Sequence, residues 1–139
     1  KDYLSSRLNI DLLGASAADR ALVLERFPLA DSMPASLVYR FVRLLAAADR
    51  FDDAERQFRG RFFPRNEGGI NPRQVWLEVR VLRAEALAQQ GKCAEARRIA
   101  DGLARPSAGL AFTRDGLEPF LRTGPLADRV RAVRAGCGR

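Results

Sequence analysis

What most constrains this chain is a helical period of apolar residues, broken repeatedly by a tight turn. Leu37, Phe41, Leu44, Leu45 and Ala48 recur at three- and four-residue steps, which lines one face of an α-helix. Asp49-Arg50-Phe51 interrupts the run. Asp52, with Glu55 three residues on, then has the form of a capping box opening a second helix. Ala54, Phe58 and Phe62 supply its inner stripe, so Leu37 to Phe63 reads as one helical hairpin. No stretch alternates apolar and polar residues for long enough to make a strand.

The unit returns from Val75 to Ala104. Asn71-Pro72 opens it, Asn as N-cap and Pro at the first helical position. Val75, Val79, Leu82 and Ala86 form one stripe, and Leu77, Val81, Ala84 and Ala88 form another. A helix apolar on two sides sits between neighbours. Gly91 closes it, and Ala96, Ile99, Ala100 and Leu103 line the returning helix. Weaker versions flank these two. Tyr3 to Leu13 ends at Gly14, with Ser16 capping Ala17 to Phe27, and Leu126 to Ala135 runs into Gly136-Cys137-Gly138. Pro119 predicts a short helix, broken at Gly124-Pro125. The turns fall near positions 14, 49, 91 and 138, at intervals of 35, 42 and 47 residues. The expected architecture is all-α: one domain of antiparallel helix pairs stacked as a solenoid. It comprises three to four degenerate repeats (about 1–30, 34–65, 71–105 and 113–139) and seven to eight helices.

The segment Ala86-Leu87-Ala88-Gln89-Gln90-Gly91-Lys92-Cys93-Ala94-Glu95-Ala96 resembles the core of the tetratricopeptide (TPR) repeat, in which an apolar helix, a turn Gly and an acidic residue with Ala meet where two helices cross. Phe51-Asp52-Asp53-Ala54 is similar to the second half of that motif, with Asp49 in place of Gly. The chain departs from the family in lacking the consensus Trp-Leu-Gly-Tyr first helix and in its irregular spacing, against a period of about 34. The resemblance implies a scaffold whose first helices line a concave groove. Its candidate lining is Tyr39, Arg43, Glu78, Glu85 and Gln89, the residues the stripes do not use. The implied partner is a protein or peptide, or an adjoining domain of the same parent chain. Arg61 to Gly69 with Gln74-Val75-Trp76 also resembles the C-terminal helical region of large bacterial proteins that carry a galactose-mutarotase-like β-sandwich. That likeness implies an accessory role beside a carbohydrate-active domain.

Charge and residue chemistry narrow the function. The chain has 139 residues and a net charge of +7, with only Lys1 and Lys92 among its 24 basic residues. Arg binds phosphate well, which raises nucleic acid as a partner. The arginines spread over every helix rather than clustering, and Arg with abundant Ala fits a GC-rich bacterial genome, so nucleic acid is the disfavoured partner. There is no His, which removes Ser-His and Cys-His nucleophile systems and the commonest metal ligand. Gly68-Gly69 lacks the Gly-Lys-Ser/Thr ending of a phosphate loop. The carboxylate pairs Asp52 with Asp53 and Asp115 with Glu118 read as helix starts, and Glu78 with Glu85 as a solvated face. Neither catalysis, nor a cofactor, nor a metal site is expected.

Cys93 and Cys137 flank equivalent turns, which a stacked fold brings to one edge, so they read either as a disulfide or as two buried thiols. Phe51, Phe58 and Phe62 are spaced as core, which leaves Phe63 and Trp76 for an exposed role. No apolar run is long enough to cross a membrane. No signal peptide opens the chain, which means little where no initiator Met does either, and cytoplasm is expected over periplasm. The absence of an initiator Met suggests a piece of something longer, and an uncapped solenoid end would favour a dimer.

Overall fold

The structure, a computed structural model, describes residues 35–60, 71–105 and 109–137. The expected first repeat, Phe62, Phe63 and Gly138 lie outside the described residues. Among the described residues the chain is all-helical, with no strand. Its helices are α1 (Ala35–Ala47), α2 (Phe51–Arg56), α3 (Pro72–Gln89), α4 (Cys93–Asp101), α5 (Arg114–Leu117), α6 (Pro119–Arg122) and α7 (Pro125–Cys137).

Two hairpins are built alike. At the end of α1, Asp49 turns left-handed (φ 60°) and the Arg50 amide donates back to the Leu45 carbonyl at 2.8 Å. At the end of α3, Gly91 does the same (φ 79°) and the Lys92 amide donates to the Leu87 carbonyl at 2.9 Å. This is the six-to-one closure that satisfies the last carbonyls of a helix and reverses the chain. Each returning helix then brings an Ala into the crossing, Ala54 in α2 and Ala96 in α4, both with no exposed surface. Ala allows the two backbones to approach closely there.

Helix starts depart in part from the sequence expectation. Asn71 caps α3 as expected, its Oδ1 accepting from the Arg73 amide at 3.0 Å, with Pro72 first in the helix. Asp52 is not a cap, because α2 starts one residue earlier at Phe51, with Arg50 before it and no side-chain capping bond. Glu55 is not the other half of a capping box. It is buried, and it faces α3. Pro119 and Pro125 open α6 and α7, with Gly124 (φ 105°) between them.

α3 is the shared element. It packs on α1 and α2, and also on α4 and α7, while α7 packs in turn on both α3 and α4. The two stripes of α3 explain this, because Val75, Trp76, Leu77, Val79, Val81 and Ala84 are all buried. The main core joins α1, α2 and α3 through Phe41, Ala54, Trp76 and Leu77, Phe58 joins it from the turn after α2, and Phe112 and Leu117 reach it from the segment after α4. A second cluster of Ala84, Ala96, Val133 and Cys137 joins α3, α4 and α7. Burying each of the larger side chains contributes about 1.5–3 kcal/mol. Residues 113–137 are less regular than the two hairpins: α5 and α6, each a single turn, intervene before α7.

Candidate functional site

One strip of surface runs across three helices. On α3 the stripes turn inward and leave Glu78, Leu82, Glu85 and Gln89 at steps of four, three and four, which is one outward face. Leu82 was expected in a stripe, but it is the large hydrophobic left exposed among the described residues, at 38%. α1 contributes Arg43 on one flank, whose guanidinium donates to Glu78 Oε2 at 3.5 Å. α7 contributes Arg129 on the other, with Nε donating to Glu85 Oε2 at 3.1 Å and Nη2 to Oε1. The Glu85 hydrogen bond raises the Arg129 pKa above the ordinary guanidinium value, burial opposes it, and the charges of Glu85 and then Glu78 add to the rise.

Four of the five sequence-derived groove residues therefore lie on or beside this strip: Arg43, Glu78, Glu85 and Gln89. Tyr39 does not, because it is fully buried in the main core. Among the described side chains of α1, from Val38 to Ala47, only Arg40, Arg43 and Ala47 are not buried, and they mark its outward line. Arg129 was not legible beforehand. It pairs with a residue 44 positions away, and nothing local signals such a contact.

Behind the strip a charged cluster joins α2 to α3. Arg80 Nη1 donates to both oxygens of Glu55, at 2.9 and 3.0 Å, and Arg83 Nη1 donates to Glu55 Oε2 at 2.8 Å. Arg83 also reaches exposed Asp52 at 2.8 Å. Burial pulls the Arg83 guanidinium down, but the Glu55 and Asp52 hydrogen bonds and charges outweigh it, so its pKa ends above the ordinary value. Arg80 also lies 5.9 Å from the centroid of Trp76.

The expected exposed role of Trp76 is corrected. Trp76 is buried, edge-on to Phe58 at 5.3 Å between centroids, so it offers no stacking platform. It lies on the inner side of the helix whose outer side carries Leu82.

Cys93 at the start of α4 and Cys137 at the end of α7 form a disulfide, with Cα atoms 5.1 Å apart, well inside the bridging range. Of the two sequence readings the structure takes the bridge. Cys137 belongs to the α3–α4–α7 cluster and Cys93 packs against it, so the bond ties together the two elements that pack on α3 there.

The functional groups on the strip hold charge in place. Guanidiniums donate and carboxylates accept, and an Arg gives up no proton in the physiological range. Among the described residues Arg43, Arg80, Arg83, Arg129 and Arg134 are each already paired with a carboxylate. No protein family, no curated protein and no solved structure was found to match this chain.

Proposed function

We propose that this chain is a TPR-like, non-catalytic helical-repeat scaffold that holds a segment of a partner protein, or an adjoining domain of its own parent protein, against the α1–α3–α7 strip. The observation that carries this reading is the composition of the strip. A single exposed leucine stands between two ion pairs, Arg43–Glu78 and Arg129–Glu85, whose arginines come from the helices on either flank. An apolar centre with a charged, hydrogen-bonding rim is the usual anatomy of a protein interface. A surface of paired charges suits a polar peptide better than a polyanion, which would have to displace the carboxylates already engaged. The stacking supports the repeat reading as well. α7 lies on α3 and α4 as α3 lies on α1 and α2, the pairwise offset by which stacked helix hairpins build a helical solenoid.

No helix among the described residues is long and apolar enough to cross a membrane. The Cys93–Cys137 bridge shifts the preferred compartment from the cytoplasm to an oxidising one, since disulfides persist where thiols are not kept reduced.

The test places a photo-crosslinking residue at Leu82, and separately at Arg97 on the exposed side of α4, in cells producing the protein. The proposal expects one discrete crosslinked species at Leu82 and none at Arg97. Equal capture at both positions, or none at Leu82, contradicts it.

A further inference from the structure

α7 is held by two unlike grips. In its first half Leu126 belongs to the main core, and half-buried Val130 packs against that core, as do Phe120 and Leu121 of α6. In its second half only Val133 and Cys137 are buried, and the other side chains from 131 to 136 are exposed. Those two residues meet Ala84 of α3 and Ala96 of α4, a cluster with no buried member larger than valine. The strength of an apolar contact follows the area it removes from water, so the second grip is the weaker one. Arg134 adds an ion pair to Asp101 and a donation to the Ala100 carbonyl at 3.3 Å. Its guanidinium and the Asp101 carboxylate are 52% and 60% exposed, so water screens that pair. What fastens the end of α7 is therefore its covalent bond to α4.

The bond also has one open side. Cys137 is 3% exposed, whereas Cys93 is half-buried on the first turn of α4, between exposed Lys92 and Ala94. A thiolate arriving from solvent meets the bridge at Cys93. It bonds to Cys93 Sγ, the S–S bond breaks, and Cys137 Sγ leaves as a thiolate that takes a proton from water. A second thiolate on the same reductant then attacks the mixed disulfide, releasing Cys93 as a thiol and leaving the reductant oxidised.

We propose that the Cys93–Cys137 bond is a redox latch on α7. Oxidised, it clamps residues 131–137 over the furrow between α3 and α4. A dithiol reductant opens it, frees those residues and uncovers Ala84 and Ala96, while the main core stands. Elements with few buried apolar contacts open at the least cost, and the second half of α7 is such an element once its bond is gone. The latch is separate from the α1–α3–α7 strip, because Arg129 lies on the half of α7 that the main core holds.

The experiment measures hydrogen–deuterium exchange of the folded 139-residue chain with and without dithiothreitol. Protection at residues 131–137 should fall about tenfold or more on reduction, while α1 and α3 stay within about twofold. Emission from Trp76, the one Trp of the chain and a member of the main core, should not move. Cys93→Ala breaks the bond but keeps the Cys137 side chain in its packing, so it should show the open pattern with or without the reductant. Unchanged protection of α7 on reduction, or a Cys93→Ala variant protected like the oxidised chain, would overturn the latch. So would a bond that dithiothreitol leaves intact in the folded chain. Protection lost evenly over all helices, with a red shift of Trp76, would make the bridge a staple of the whole fold and would overturn it too.

Discussion

Asp49 and Gly91 occupy the same left-handed position in successive turns, and the amide after each closes onto a leucine carbonyl five residues back, Leu45 or Leu87. This equivalence sets the register of everything downstream. It aligns Ala54 with Ala96 at the crossings and Phe58 with Ala100 at the junctions. The two hairpins thus agree most closely in backbone geometry, where side-chain identity matters least.

The turns make the first prediction. A Cβ at Gly91 would meet nothing within 4 Å, so Gly91→Ala costs only the conformational penalty of its positive φ, about 1 kcal/mol. Asp49 already bears that penalty in part, so Asp49→Gly should leave stability unchanged or raise it by about 0.5 kcal/mol. Urea unfolding of the two variants checks both signs.

The charge cluster between α2 and α3 makes the second. Glu55→Gln keeps the shape but leaves Arg80 and Arg83 facing a neutral group in a site where the carboxylate is buried. A loss of about 2–3 kcal/mol is expected, below the fully buried case because both arginines keep some contact with water. Asp52→Asn, at a side chain 80% exposed, should cost less than about 0.5 kcal/mol. Similar losses for the two variants in chemical denaturation would contradict this account of the cluster.

The disulfide makes the third. Chain-entropy arguments give about 3–4 kcal/mol for a loop of this size. The Cys93→Ala, Cys137→Ala double variant should therefore unfold at markedly lower denaturant, while the unreduced, denatured native chain should show no free thiol. Two titratable thiols in that chain would contradict the bridge.

Acid sensitivity makes the fourth. Hydrogen bonding from Arg114 holds the Glu118 pKa below the ordinary carboxylate value, against a smaller effect of burial, and Arg122 adds to the depression. A carboxyl depressed in the folded state stabilises the fold at pH above its unfolded value, about 4.3, and that contribution disappears as pH falls through the folded value. Thermal unfolding of the native chain should therefore lose more stability below about pH 4.3 than that of Glu118→Gln. Parallel curves would show that these ion pairs contribute nothing to the fold.

Legibility of the fold differed by element. The apolar periods of α3 and the Gly91 turn were plain, as were the Asn71-Pro72 start and the proline starts of α6 and α7, because each is a local signal with a local cause. Tyr39 and Leu82 exchanged places relative to expectation. Periodicity shows that a helix has an inner face but not how wide it is, and α1 is buried nearly all round while α3 must spare one line. Glu55 carried the spacing of a capping box, yet two arginines on the next helix outcompeted that local bond. Of the site, Arg43, Glu78, Glu85 and Gln89 could be read from their helix faces. Arg129 could not, since its pairing with Glu85 exists only once α7 is laid against α3.

The most direct test of the scaffold reading exchanges Glu85 and Arg129, as Glu85→Arg with Arg129→Glu. The swap keeps an ion pair between α3 and α7, so the far-UV circular dichroism spectrum and Tm should stay close to those of the native chain. It also reverses the charge pattern beside Leu82, so the species captured by the photo-crosslinker at that position should disappear. A folded swap variant that still captures the same species at full yield would contradict the claim that this strip is what the partner recognises.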